Sequence, residues 1–107
     1  MTFQELLAEA KKIDRVEARA DLAHYFEIVV AKPGLEAVEV LLRSHFGDPV
    51  KPKGHPVPAE LAARTKPFGG IQPNQTMYFR QADLLGEFAF LWPWSDGLSV
   101  TVKIITT

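Results

Sequence analysis

Apolar residues recur at every third or fourth position from Phe3 to Ile13, which is the spacing of a helix with one buried face. The segment begins with a capping-box sequence, in which the hydroxyl of Thr2 and the carboxylate of Glu5 satisfy each other's free backbone amides. This pattern predicts a helix over residues 3–13.

The next segment has two interpretations. Asp14 begins a second capping sequence, and an apolar stripe continues at helical spacing as far as Phe26. Residues 25–31, however, are rich in aromatic and β-branched side chains, which favour a strand. We therefore predict a helix over residues 15–23 and a strand over residues 25–31.

Residues 35–46 are predicted to form another helix, because their apolar side chains share one face. On the opposite face, Glu39 and Arg43 have the spacing of a favourable ion pair within a helix. Gly47 suits the left-handed position that follows a helix, and Pro49 prevents its continuation.

Four prolines lie among residues 48–58, and each fixes one φ angle and removes one amide donor. This segment is therefore predicted to be an extended surface connection. Pro58 is a suitable first residue for a short helix, which we predict over residues 59–64. Prolines and glycines between residues 66 and 75 predict a further loop.

The last third of the chain alternates large apolar and smaller or polar residues, which predicts an antiparallel β-meander. A three-residue hairpin loop at residues 95–97, with Gly97 at positive φ, would pair Phe90 with Val102. A two-residue loop would instead pair Phe90 with Lys103. We predict the first register, because the second mixes apolar and polar residues on one face.

In the preceding hairpin, a turn at residues 83–86 is predicted to place Ala82 opposite Glu87. The two registers together place the large apolar side chains on one face of the meander and most polar side chains on the other. The helices are expected to cover the apolar face, which comprises Met77, Phe79, Phe88, Phe90, Trp92, Trp94, Leu98, Val100, Val102 and Ile104.

These patterns predict an α+β fold, with about three helices packed on one face of a three- to four-stranded antiparallel sheet. Residues 1–107 are expected to form one domain, with a helical front over residues 2–47, a proline-rich loop over residues 48–75 and a C-terminal β-meander over residues 76–106. The strand at residues 25–31 is expected to lie at one edge of the sheet.

The composition is that of an ordinary globular protein, with 47% hydrophobic and 23% charged residues. The absence of cysteine excludes disulfides, thiolate metal sites and a cysteine nucleophile, and suits the cytoplasm, which we expect as the location. No apolar run is long enough to cross a bilayer, so no membrane partner is expected. A net charge of −1 gives no general attraction to nucleic acid, which is not an expected partner.

Charge is nevertheless unevenly distributed, since residues 51–82 carry a net charge of +4 and residues 1–50 a net charge of −3. A basic segment with extended backbone can hold a small anionic ligand. The alternative is a solvated connector that its lysines keep soluble. The candidate ligand-binding residues are Lys51, Lys53, His55, Arg64, Lys66, Phe68 and Trp92.

Trp92 and Trp94 lie two positions apart and therefore on the same face of a strand. They fit either the aromatic wall of a ligand pocket or a sheet end that packs on helices, with Pro93 ending the strand. The predicted strand pairing favours packing.

Catalytic motifs are absent from the sequence. His24, His45 and His55 lack the local spacing of metal ligands, and no nucleophile or phosphate-binding motif is present. We therefore predict no metal, no cofactor and no catalytic residue, and favour a non-catalytic function over an enzyme, which stays an alternative.

Three functions are considered. The first is a non-catalytic interaction or oligomerisation module, with a homodimer as the simplest partner. The second is a protein that binds a small anionic ligand in a pocket of roughly a few hundred Å³ between the proline-rich loop and the sheet. The third is an enzyme in which a histidine and a carboxylate converge in a cleft.

Overall fold

The structure is a computed structural model that describes all residues from 1 to 107. Its five strands form one antiparallel sheet in the order β1-β2-β5-β4-β3. The α+β class and the C-terminal meander are confirmed, whereas the prediction of three to four strands is one strand short. The elements are α1 (Phe3–Ala10), β1 (Glu17–Asp21), β2 (Tyr25–Ala31), α2 (Leu35–Phe46), α3 (Ala59–Thr65), β3 (Thr76–Ala82), β4 (Leu85–Pro93) and β5 (Ser99–Thr106).

Helix α1 begins with the predicted capping box. The Thr2 amide donates to the Glu5 carboxylate at 2.9 Å, and the Glu5 amide donates to the Thr2 hydroxyl at 3.1 Å. The helix ends at Ala10, three residues before the predicted end. Arg15 explains the earlier end. Its guanidinium donates hydrogen bonds to the carbonyl oxygens of Ala10 and Lys11, which have no partner within the helix.

The predicted helix over residues 15–23 is wrong, because Glu17–Asp21 forms strand β1. This segment is almost entirely exposed, and its only apolar side chains, Ala18 and Ala20, are too small to fix a helix on the core. Pairing with β2 satisfies its backbone instead, with a bulge between Ala18 and Ala20. Strand β2 is as predicted over residues 25–31, but it lies between β1 and β5 and not at the sheet edge.

The hairpin between β4 and β5 has the register that the sequence analysis disfavoured. Phe90 pairs with Lys103, and Trp92 pairs with Thr101. Residues 95–98 form a four-residue loop, closed by a hydrogen bond of 2.9 Å from the Trp94 amide to the Ser99 carbonyl oxygen. The predicted three-residue loop is therefore wrong.

This register buries both faces of the sheet, so the prediction of a single apolar face is also wrong. One face, here called the helical face, packs against α1 and α2. The other, here called the aromatic face, packs against α3 and the 3₁₀ turn at residues 66–68. The helical face comprises Phe26, Ile28, Val30, Tyr78, Ala89, Leu91, Val100, Val102 and Ile104, and the aromatic face comprises Tyr25, Met77, Phe79, Phe88, Phe90, Trp92 and Ile105.

The hairpin between β3 and β4 is tighter than predicted. Ala82 pairs with Leu85 and not with Glu87, across a two-residue turn in which Asp83 has φ +54°. Asp tolerates this left-handed conformation better than most residues. The observed pairing differs from the predicted one by two positions, so each side chain stays on its predicted face of the hairpin. Phe79 accordingly pairs with Phe88 on the aromatic face.

The two remaining helices agree closely with the predictions. Helix α2 spans residues 35–46 and is followed by Gly47 at φ +79°. Helix α3 spans residues 59–65, one residue longer than predicted. None of the three helices has the length and apolar composition that crossing a bilayer requires.

We expect Gly97→Val to lower the free energy of unfolding by about 1–2 kcal/mol, because Gly97 has φ +71° and a β-branched residue is strained there. No heavy atom lies within 4 Å of the position that a Cβ would occupy, so backbone strain is the main cost. Urea denaturation measures the loss. Gly97→Asn, which tolerates this conformation, is the control, and an equal loss in both variants would contradict the backbone explanation.

Candidate functional site

Lys51, the first predicted site residue, is buried and serves the fold. It exposes 1% of its surface. Its ammonium donates hydrogen bonds to the carbonyl oxygens of Pro52, Pro73 and Gln75, and its backbone exchanges two hydrogen bonds with Met77. Burial lowers the pKa of Lys51. Because the three carbonyls use its three donors, Lys51 fastens the proline-rich loop to β3 and has no donor left for a ligand.

Arg64 and Phe68 pack on the aromatic face. The Arg64 guanidinium carbon lies 5.0 Å from the ring centre of Phe79 and 5.4 Å from that of Phe88. The ring centres of Phe68 and Phe88 are 5.4 Å apart. These contacts attach α3 and the turn after it to the sheet. Lys66 lies in that turn and is exposed.

Trp92 is a packing residue of the aromatic face. The Lys103 ammonium lies 3.6 Å from the centre of its ring. Gly69 lies beside the ring, where a Cβ would make an ordinary van der Waals contact with it at 3.6 Å. Burial lowers the pKa of Lys103, and the indole N–H of Trp92 is buried without a partner.

The two remaining predicted residues line different cavities. His55 lines a cavity of about 370 Å³ within the proline-rich loop, and Lys51, whose ammonium is already bonded to carbonyl oxygens, lines the same cavity. Lys53 lines a cavity of about 440 Å³ between that loop and the sheet. The seven residues therefore do not converge on one site, although one of them lines a cavity at the predicted place.

The cavity of about 440 Å³, here called the loop cavity, lies where the proline-rich loop, the start of α2 and the β4–β5 hairpin meet. Three charged residues line it, and they come from three segments: Lys32 from the turn before α2, Glu39 from α2 and Lys53 from the proline-rich loop. None of the three forms an ion pair with another protein group. The loop cavity therefore presents two cations and one anion without partners.

Part of the wall of the loop cavity is apolar. Leu91 and Val100 line it and also belong to the core on the helical face, against which Leu35 packs. Asn74 and Ser99 add an amide and a hydroxyl. An apolar wall with a few polar groups is the usual composition of a site for a small organic molecule.

Glu39 has no ion-pair partner, because Arg43, its predicted partner, pairs with a different carboxylate. The Arg43 guanidinium pairs with the carboxylate of Asp48, which follows the helix after Gly47. The predicted ion pair between Glu39 and Arg43 is therefore wrong, since Asp48 lies beyond the helix end and within reach of the same guanidinium.

A histidine and a carboxylate do come together, in a buried pair whose two members the sequence analysis did not identify. His45 Nε2 lies 2.5 Å from Glu87 Oε1, and the two side chains expose 0% and 8% of their surface. His45 Nδ1 has no partner, and the Phe46 ring packs edge-on against the imidazole at 4.7 Å. Neither His45 nor Glu87 lines the loop cavity or the cavity beside His55. The pair links α2 to β4 and is almost fully buried.

Polar side chains cover the part of the aromatic face that α3 leaves open. Arg19 donates to Glu27 at 3.4 Å and lies 5.5 Å from the ring centre of Trp94. Tyr25 donates to Glu27 at 2.5 Å, and the Trp94 indole donates to Thr101 at 2.8 Å. These groups satisfy one another, so this surface offers fewer free groups to a ligand than the loop cavity.

No three side chains of histidine, aspartate or glutamate come together as metal ligands would. The chain matches no family model, no curated protein and no solved structure.

We expect His45→Ala to cost about 3–5 kcal/mol of stability, because it leaves the buried Glu87 carboxylate without its partner. Replacing both residues by alanine should cost clearly less than the sum of His45→Ala and Glu87→Ala, because no buried charge is then left unpaired. Urea denaturation of the three variants tests this. Additive losses would show that the two side chains do not interact.

We expect the tyrosines to ionise late in alkaline titration. Burial, together with the hydrogen bond to Glu27, raises the pKa of Tyr25 to about 12, and burial raises the pKa of Tyr78. Because an unfolded tyrosine ionises near pH 10, Tyr25 contributes stability that is fully present below pH 10 and is lost as the pH rises to about 12.

The measurement is the ultraviolet absorbance of tyrosinate as pH rises, in native protein and in urea. Tyr25→Phe is the matched variant, because the chain has 2 tyrosines and Tyr78 then reports alone. Native protein that titrates like the unfolded chain would disprove the burial of both rings.

Proposed function

We propose that this protein is a non-catalytic binding domain for a small molecule that joins an anionic group to an apolar body. The loop cavity carries this proposal, because two lysines without protein partners line a cavity of about 440 Å³ whose wall is partly apolar. The volume lies within the usual range of ligand sites, about 300–1,000 Å³.

The lysines suit a carboxylate or a similar anion. Lys32 and Lys53 come from segments that are far apart in sequence, and their ammonium groups are compact point charges with three donors each. A carboxylate that they bind gains charge-assisted hydrogen bonds. The apolar part of the ligand would then lie against Leu91 and Val100.

Catalysis has less support than binding. The single close contact between a histidine and a carboxylate joins His45 to Glu87, and neither residue lines the loop cavity. A general acid or base must come within hydrogen-bond reach of its substrate. The enzyme hypothesis therefore ranks below the binding proposal.

The interaction or oligomerisation module, with a homodimer as partner, stays a prediction. Strand addition at the sheet edges has little support, because β1 is short, charged and bulged, all of which discourage pairing with another chain. At the other edge, Lys51 already bonds to Met77 of β3. A cytoplasmic location likewise stays a proposal that rests on the absence of cysteine.

The proposal predicts that 3-phenylpropanoate, a carboxylate on an apolar body, binds to the full chain in isothermal titration calorimetry. Lys53→Gln should weaken this binding about tenfold, because it removes one charge-assisted hydrogen bond. Added salt should weaken binding as well, since Lys53 is exposed.

Lys66→Gln is the matched control, because Lys66 is an exposed lysine of the same basic segment that does not line the loop cavity. It should bind the ligand as the natural sequence does. No binding of 3-phenylpropanoate, or equal weakening by both substitutions, would overturn the proposal.

A further inference from the structure

Glu39 is the one charged group of the loop cavity that an anionic ligand does not explain. It lies half-buried on α2 and lines the cavity beside two lysines, yet it has no cationic partner. Arg43, one helical turn away, pairs with Asp48. The cavity therefore holds an acceptor for a cation as well as donors for an anion.

We infer that the loop cavity takes a zwitterion, an α-amino acid with an apolar side chain. This inference rests on the proposed function and adds the second charge to its ligand. The carboxylate of the amino acid accepts from Lys32 and Lys53, and its ammonium donates to Glu39. Its side chain packs against Leu91 and Val100.

The charges of the cavity favour this class over simpler ligands. Two lysines can share one carboxylate, because its two oxygens offer about four lone pairs. A ligand with a carboxylate but no ammonium would displace water from the cavity and leave the charged side chain of Glu39 without a partner. Desolvation of an unpaired charge is unfavourable. A simple amine would satisfy Glu39 but meet the like charges of Lys32 and Lys53.

The test compares three probes on the full chain by isothermal titration calorimetry: L-phenylalanine, 3-phenylpropanoate and phenethylamine. The second lacks the ammonium and the third lacks the carboxylate, while all three keep the phenyl ring. We expect L-phenylalanine to bind about tenfold more tightly than 3-phenylpropanoate, the difference that one charge-assisted contact makes, and phenethylamine to bind most weakly.

Glu39→Gln should abolish the preference for L-phenylalanine and leave the binding of 3-phenylpropanoate unchanged or tighter. Glu39→Asp keeps the charge and should retain part of the preference. Glu36→Gln is the control, because Glu36 is an exposed carboxylate of the same helix that does not line the loop cavity. It should retain the whole preference.

The outcomes separate the inference from the proposal on which it rests. Equal binding of L-phenylalanine and 3-phenylpropanoate, or a preference that survives Glu39→Gln, would overturn the zwitterion and leave the anion site standing. If neither carboxylate binds, both fall.

Discussion

The alignment of β4 with β5 is the constraint on which the rest of this structure depends. Because Phe90 pairs with Lys103, the aromatic residues of β4 lie on one side of the sheet and Val100, Val102 and Ile104 of β5 lie on the other. Both sides are then apolar and both require a cover. Helices α1 and α2 cover one side, and α3 with its following turn covers the other.

The connection to α3, which covers the aromatic face, explains how the loop cavity forms. Helix α3 follows the proline-rich loop in the chain, and Lys51 of this loop pairs with Met77 of β3. Lys51 fastens this loop by donating to three backbone carbonyls, at a position where its side chain points inward. Lys53, two residues later, lines the cavity. A residue that stabilises the fold thus fixes a residue of the candidate site.

Local sequence signals predicted much of the fold. The capping box of α1, the apolar stripe of α2 and the β-branched run of β2 each act within one segment, and each element formed near its predicted place. The failures involve tertiary contacts. A capping signature at Asp14 could not show that residues 17–21 would pair with β2. The predicted β4–β5 register is wrong because it requires a solvated Lys103, whereas the ammonium of Lys103 packs on the Trp92 ring.

The candidate site was less predictable, because its charged groups come from separate segments. Of the seven predicted residues, Lys53 lines the loop cavity, while Lys32 and Glu39 were not predicted. Nothing in the sequence shows that Arg43 turns to Asp48 and leaves Glu39 free. His45 and Glu87 are likewise 42 positions apart, and no local spacing connects them.

In a sheet that is apolar on both sides, hydrophobic burial discriminates weakly against an alignment shifted by one residue. Such a shift places many apolar side chains on the opposite face, where they are still buried. Lys103 breaks this degeneracy, because the shifted alignment would carry its ammonium into the core beneath α1 and α2. One cation thereby raises the free energy of a competing alignment. The side chain that looks out of place in an apolar strand thus favours the native pairing.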